Sequence, residues 1–545
     1  MKDGYVVGLG EYEGEREYDL AGTYVVPGLI DAHVHIESSL LAPAEYARLV
    51  LAHGTTTVVA DPHEIANVCG APGIEYMLAE GAQTPLDILI MLPSCVPATP
   101  LDRGGAVLTA DDLAKFRGRE GIIGLGEVMN VPGVLSGDPD LRAKMDLFEV
   151  IDGHSPFLSG KDLNAYVYAG AGSDHECTAL AEAREKLLRG MHIMIREGST
   201  EKNLKDLLPL VDACTAPRCC FATDDRHADM LAGEGHIDDC IKKAVASGLK
   251  VELALRMATL SAAERFGLRD RGALVPGRIA DFCVVDDPGR FEVLRTFKRG
   301  VEAVDAGYRE PACPVAPMHA RVPEPRDIRV AGSGEARVIG IVPGQITTRL
   351  LRCPVDAANI PDTGRDILKA VVTDRYRAGG SGVGLVHGFG LKAGAIAGSV
   401  SHDSHNIVAV GAGDADIVRA IAEVVRLGGG LAVVCGKRRA EGCDGRRSEL
   451  EKPSGFEPEL EKTRSVSSEV TSLPLECAGL MSALPYEEVV GRLAALEEHA
   501  RRLGAIQNPF MYLSFLALTV IPEIRVTERG IFDVTAFSDV ALFGK

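Results

Sequence analysis

The sequence predicts an α/β protein built on a (β/α)8 TIM-type barrel, with strand-like flanks on either side of it and a C-terminal α/β domain. Three observations predict it. Short apolar runs recur at regular intervals, helix-like stretches separate most of them, and the runs end in His, Asp, Glu or Cys. Apolar strands alternating with helices imply a parallel sheet, and eight such units imply a closed barrel. That fold keeps its active site at the C-terminal strand ends, where these runs carry their ionisable groups. The barrel is predicted over 27–270, the flanks over 1–26 and 271–325, and the C-terminal domain over 326–545.

Each barrel strand has its own signature. The first comes from Val25, Val26, Leu29 and Ile30 and ends in His33-Val34-His35, with Glu37-Ser38-Ser39 closing it. Alternation along a strand points His33 and His35 the same way, and two neutral imidazoles on one face suit a transition metal. Thr55–Ala60 runs into Asp61-Pro62-His63-Glu64, and Asp87–Leu92 into Pro93-Ser94-Cys95. Ile122–Gly126 ends in Glu127, and Val150–Gly153 in His154. Ser173-Asp174-His175-Glu176 follows, then Met191–Ile195 with Arg196-Glu197, then Cys219–Thr223 with Asp224-Asp225-Arg226-His227. Ala44–His53 and Ala179–Leu188 are among the intervening helices.

The flanks read differently. Residues 1–26 look strand-like, and 272–285 return to that style. With the strand ends above, such flanks resemble those that combine in the amidohydrolases into a small β-sandwich beside the barrel. Against that arrangement the chain enters at Met1-Lys2-Asp3-Gly4 midway through the usual N-terminal strands, so the first of them are expected to be missing, through a start codon placed too late. In the C-terminal domain, 383–390 and 406–411 look like strands leading into Gly turns, and Ala415–Leu427 and Glu487–Leu503 like amphipathic helices. Between Gly429–Val434 and Leu473–Leu475, residues 437–470 carry 16 charged residues among 34 with little periodicity. Such a stretch buries too little apolar surface to order itself, so an insertion or sequence artefact is expected there.

Composition narrows the function. With 46% hydrophobic residues, 545 residues are ample for several packed cores. No apolar run is long enough to span a membrane, and no signal peptide is recognisable. A net charge of −19 argues against nucleic-acid or anionic-membrane partners. Thirteen cysteines without a CxxC pair are expected to be free thiols in a reducing cytoplasm.

The strand-end series resembles the amidohydrolase superfamily. More narrowly, the chain is similar to the adenine deaminases in Asp31-Ala32-His33-Val34-His35-Ile36-Glu37-Ser38-Ser39, Ala60-Asp61-Pro62-His63-Glu64, Ser159–Asn164, Ser173-Asp174-His175-Glu176, Thr223–His227 and Ser401-His402-Asp403-Ser404-His405-Asn406. The resemblance covers nearly the whole chain and implies hydrolysis of adenine to hypoxanthine and ammonia. It implies a binuclear divalent metal held by His33, His35 and Asp224 on one side and His154 and His175 on the other, with Glu127 bridging. Such ligands suit Zn(II), Fe(II) and Mn(II), and the resemblance favours Mn(II) or Fe(II). A shared water would then be acidified towards neutrality. Protons must also reach N1 and the exocyclic nitrogen; Asp224 is the first candidate for that shuttle and Glu127 the second. Asp224 is preferred to Asp225 because it directly ends the apolar run.

Other candidates stay open. His63 and Glu64 are read as ligands of an additional metal, as substrate contacts, or as loop supports, and Asp61 as a turn former. Arg196-Glu197-Gly198-Ser199, after the seventh strand, is a substrate-edge candidate on position alone. His402, Asp403, His405 and Asn406 form either a solvated turn or part of a C-terminal cover that completes the purine site. His53, His192, His236, His319, His387 and His499 are expected to be structural. Alternatives to adenine are another cyclic amide or amidine, an N-acetyl sugar, or purine binding without catalysis. A homo-oligomer, dimer or higher, is expected.

Overall fold

Eight short parallel strands surround one apolar interior. The computed structural model describes residues 1–305, 307–314, 318–436 and 469–544. The barrel strands are β1 (Leu29–Val34), β2 (Thr55–Ala60), β3 (Asp87–Leu92), β4 (Ile122–Val128), β5 (Ile151–Gly153), β6 (Ser173–Asp174), β7 (His192–Arg196) and β8 (Cys219–Ala222). Pairing runs in parallel from β1 to β5 and from β6 to β8. The Gly172 N–H bonds the Ile151 carbonyl at 3.0 Å across the β5–β6 gap, and a parallel bridge between Val34 and Asp224 closes β8 onto β1.

Period-two alternation explains the layers. Ile30, Ala32, Val59, Met91, Met194, Cys220 and Ala222 fill the interior. Leu29, Ile193, Ile195, Cys219 and Phe221 face outward onto helices that include Ile237–Ala246 and Val251–Ala258. The β1–β2 ladder is irregular between Asp31 and Val34. A break of that kind re-aims the chain, and it hands the strand over from the apolar interior to the imidazoles at the mouth.

Beside the barrel lies a four-stranded antiparallel sheet of Tyr24–Pro27, Phe282–Val285, Val293–Lys298 and Val301–Glu302. Ahead of Tyr24, pairing is limited to isolated bridges from Lys2 to Tyr5 and from Tyr5 to Ile279. The strand-like reading of 1–26 therefore overstates the pairing. Glu11, Glu13, Glu15, Arg16 and Glu17 lie exposed and have no apolar face to bury.

The C-terminal region is an eight-stranded sheet, antiparallel except where Ser333–Ile341 meets Ser381–His387. Helix Asp414–Leu427 buries Ile417, Ala420, Ile421 and Val424 against it. Gly430–Cys435 pairs antiparallel with Glu469–Pro474, so the two ends of the charged stretch start from neighbouring strands. The stretch itself, 437–468, lies outside the described residues. A three-stranded sheet follows, built from Ile524–Thr527, Gly530–Asp533 and Ser538–Val540.

The expectation of free thiols throughout fails at Cys313 and Cys477, which form a disulfide with Cα atoms 4.5 Å apart. Their separation of 164 residues is invisible to local spacing; folding joins them, because the segment leaving the flanking sheet runs past the turn at 477–481, where Ala478 N–H bonds the Pro314 carbonyl.

One buried cation fixes the segment that covers the barrel mouth. Arg525 is fully buried and donates to the carbonyls of Ile521 (2.8 Å), Phe515 (2.7 Å), Ile346 (2.8 Å) and Pro522 (3.3 Å). We expect Arg525→Met to strand these carbonyls and lower the free energy of unfolding by about 3 kcal/mol. Urea denaturation measures it; a change below about 0.5 kcal/mol would mean that the carbonyls find other partners.

Candidate active site

The C-terminal strand ends converge on one buried cluster. His33 and His35 bring their Nε2 atoms within 3.1 Å of each other. Asp224 Oδ1 stands 3.7 Å from the first and 3.3 Å from the second. The backbone of Asp224 is left-handed (φ 56°), an uncommon state for a residue with a Cβ. It returns the carboxylate towards β1 while the peptide N–H bonds the His33 carbonyl at 3.0 Å. His35 Nδ1 donates to the Asp61 carbonyl at 2.9 Å, which leaves Nε2 free to face the cluster.

Glu127 is the centre of the arrangement. Its Oε1 faces His35 Nε2 (3.3 Å) and His63 Nδ1 (3.4 Å), and its Oε2 faces His154 Nδ1 (2.6 Å) and His175 Nε2 (3.1 Å). Asp61, read from sequence as a turn former, positions it: Oδ2 accepts the Glu127 N–H at 2.9 Å. Gly126 makes this possible, since a Cβ there would lie 2.0 Å from Asp61 Oδ2. The His154 and His175 strand ends share a second support. Asp174 Oδ1 accepts from the N–H (2.9 Å) and the hydroxyl (2.8 Å) of Ser155, and Lys186 Nζ pairs with Asp174 Oδ2 at 3.0 Å while donating to the Ser155 carbonyl at 2.6 Å.

The C-terminal domain closes the mouth. His63 Nε2 meets Asp403 Oδ1 at 3.2 Å, and His402 stacks on Phe515 with ring centroids 4.8 Å apart. His402, Asp403 and Phe515 line the same cavity as His35, Glu127 and Asp224. The solvated-turn reading of 401–406 is therefore set aside, as all six residues are buried. The six do not play equal parts. Asn406 turns away, with Oδ1 accepting the Arg375 N–H, and His405 lies behind the cavity wall with Nε2 3.9 Å from Glu64 Oε2. Glu64 is also one layer back, accepting from the Ser38 hydroxyl at 2.6 Å. Asp225 reaches the cavity and also meets that hydroxyl. Glu197 is not at the cavity: its carboxylate pairs with Lys243 at 3.0 Å on helix Ile237–Ala246.

Arg196, a substrate-edge candidate from its position, does reach the cavity, and so does Glu176, which the sequence pattern does not single out. Glu176 lines the cavity, 3.5 Å from His175 Nε2, and Arg196 bonds both Glu176 and Asp224 Oδ2, the latter at 2.8 Å. Glu176 was legible as the next residue after a strand-end histidine. The apolar wall of Phe515, Leu518 and Val520 carried no signal, because it reads like ordinary core.

The electrostatics favour cations. Burial opposes ionisation of Glu127, yet His154 and His175 hold its carboxyl well below the usual range. Burial likewise opposes ionisation of Asp224, and His35 with Arg196 overcomes it. His154 Nε2 and His175 Nδ1 are buried without a hydrogen-bond partner, and His175 Nε2 and His63 Nδ1 have the Glu127 oxygens within ion-pair reach. His33, His35 and Asp224 form one set spaced for an ion, His33, Glu127 and His175 another, and His154, His175 and Glu176 a third. Lone pairs of imidazole and carboxylate meeting at about 3 Å are the donor set of a divalent transition metal.

Barrel and cluster together define the class of barrel hydrolases that work with divalent metals at their strand ends. The amidohydrolase family model matches residues 24–303, and the adenine deaminase C-terminal domain matches 345–443 and 464–538, passing over part of the charged stretch. The chain is 80% identical over 543 residues to the adenine deaminase of Methanoculleus marisnigri, covering 100% of this chain and 99% of that one. It is 58% identical over 545 residues to the adenine deaminase of Methanoregula boonei (100% and 92% covered) and 46% identical over 555 residues to adenine deaminase 2 of Carboxydothermus hydrogenoformans (98% and 92%). The chain belongs to the amidohydrolase family, within its adenine deaminase group.

Two substitutions test the supports. Gly126→Ala should displace Asp61 and lower metal retention by about 10–100-fold, read by metal analysis after dialysis against a chelator; wild-type retention would show that Asp61 does not matter. At Asp174, burial opposes charge and Lys186 overcomes it, so the folded pKa is depressed. Its contribution is complete above the ordinary carboxylate range and is lost as pH falls through the depressed value. Lys186→Met removes the cation, so the loss should begin nearer neutrality. We expect the acid-unfolding midpoint to rise by about one pH unit, and an unmoved midpoint would refute the assignment.

Proposed function

We infer that this chain hydrolyses adenine to hypoxanthine and ammonia at the mouth of its barrel. The observation that carries the reading is Glu127, whose two oxygens each face a separate pair of imidazoles under a cover of the adenine deaminase type. His33, His35 and Asp224, with Glu127, His154 and His175, are the residues that would hold two divalent cations. Bound there, such cations lower the pKa of a shared water and so supply hydroxide near neutral pH.

The remaining work falls to the chain. Adenine C6 is a poor electrophile until N1 carries a proton, and ammonia leaves only once the exocyclic nitrogen is protonated. Asp224 is assigned to carry both protons of the attacking water, the first to N1 as oxygen adds to C6 and the second from the resulting C6 hydroxyl to the exocyclic nitrogen as the C6–N bond breaks. Glu127, whose oxygens face four imidazoles, is assigned the bridging role and stays the second candidate for the shuttle. Glu176, which shares a guanidinium with Asp224, is assigned to the support of that pair. His402 and Asp403 face the cavity from the cover and are assigned to the ring nitrogens, where unpaired buried groups would penalise the wrong base. The finer parts of the proposal are Mn(II) or Fe(II) in preference to Zn(II), a cytoplasmic role in purine salvage, and a homo-oligomer.

The direct test is ammonia release from adenine but not from guanine, cytosine or adenosine by metal-loaded protein. Release from an N-acetyl sugar or cyclic ureide instead would overturn the substrate. Either His33→Ala or His35→Ala should lower metal content and turnover together by at least about a hundredfold, and a metal-depleted variant with full activity would sink the ligand assignment. With metal retained, Asp224→Asn should cut kcat by about 10²–10⁴-fold. If Asp225→Asn were inactive and Asp224→Asn normal, the neighbouring carboxylate would be the shuttle.

A further inference from the structure

A purine must travel from solvent to a site that the closed mouth leaves little room for. The cavity among His35, Glu127, Asp224 and His402 measures about 20 Å³, space for about one or two waters, so a bicyclic base reaches His402 and Asp403 only when side chains of its wall move aside. A second chamber of about 170 Å³ lies against it. Met129 and Val520 belong to the walls of both, so these two side chains form the partition. We propose that the outer chamber is a docking site for the neutral purine, and that Met129 and Val520 select which bases pass from it to the catalytic cluster.

The chemistry of the chamber fits that occupant. One wall comes from barrel loops through Asn130, Pro132 and Leu158, and the other from the cover through Thr519, Pro522 and Phe537. Lys, Arg, Asp and Glu are absent from its lining, so nothing there pairs with a phosphate. A flat, uncharged heterocycle finds apolar faces and a ring to stack on, while Thr99, Asn130 and Thr519 supply a few polar groups for orientation. The walls are tied together: Thr519 donates to Asp102 Oδ2 at 2.6 Å, and Thr99 donates to the same oxygen at 2.8 Å. Arg525 holds the carbonyls of Ile521 and Pro522 just beyond. The backbone around the partition is therefore fixed, and passage falls to side chains. Met129 suits this, since an unbranched thioether with three rotatable bonds repacks readily.

The proposal rests on the adenine reading, and its test separates the two. The chain contains no tryptophan, so Phe537→Trp places a single indole in the chamber. In the metal-loaded protein, hypoxanthine should quench its fluorescence saturably, and inosine monophosphate should not. Val520→Phe thickens the partition and should lower kcat/KM for adenine by at least about tenfold with metal content unchanged, while quenching persists in Phe537→Trp/Val520→Phe. Val520→Ala thins it and should raise kcat/KM for 2-methyladenine relative to adenine by about fivefold or more. Absence of saturable quenching, or kinetic ratios within twofold of wild type in both Val520 variants, would overturn the proposal. Failure of the wild-type protein to release ammonia from adenine would overturn the activity reading, and the quenching measurement would still decide the chamber.

Discussion

The structure depends on one carboxylate. Glu127 is buried at the centre of four imidazoles, and neither it nor they could remain there without compensation, because an isolated buried charge costs far more than a fold can spare. The compensation is mutual, and a pair of divalent cations would complete it. Everything nearby serves that geometry. Asp61 holds the Glu127 peptide, Gly126 leaves room for Asp61, and the Asp61 carbonyl fixes the tautomer of His35. On the other side, Lys186 and Asp174 tie the strand ends of His154 and His175 together from beneath.

Much of this was legible in the sequence, for a physical reason. A barrel places its chemistry at the ends of period-two apolar runs, so strand recognition and site recognition are the same act. Thr55–Ala60 and Asp87–Leu92 match the structure at both ends, and the six residues expected to hold metal are brought together. What failed depended on distance in the chain. Glu197 ends an apolar run as Glu127 does, but helix Ile237–Ala246 offers it Lys243 and turns it outward. The Cys313–Cys477 bond joins segments whose proximity is set by the whole fold. Asp61 has the local signature of a turn, and only the neighbouring strand gives it its second task. The cover could be suspected from the polar cluster at 401–406, but its apolar wall could not, because Phe515, Leu518 and Val520 have the composition of any core.

The cover explains how a barrel shared by many hydrolases can be made particular. The strand ends gather imidazoles and carboxylates spaced for cations, and in the proposed function the reading of the base is assigned to the cover. His402 and Asp403 bring hydrogen-bonding groups from the C-terminal domain, and the stacking of His402 on Phe515 fixes the orientation of one of them. Exclusion of water follows from the same closure, and it strengthens every charge interaction inside.

The choice between two adjacent carboxylates can be argued from proton counting. The Ser38 hydroxyl lies against both Glu64 Oε1 and Asp225 Oδ1, and a hydroxyl has one proton to donate. The two carboxylates therefore compete for a single donor. Burial, with the neighbouring Asp224 charge adding to it, raises Asp225 to about 6, whereas His35 and Arg196 hold Asp224 well below the usual range despite its burial. Neighbours in the chain are thus driven apart in acidity by what surrounds them, and such a split commonly separates a carboxylate that works from one that supports. Asp224 is the ionised member, faces the imidazoles, and shares a guanidinium with Glu176. Asp225 is the weaker acid of the two, and the oxygen that meets Ser38 is committed to the layer behind.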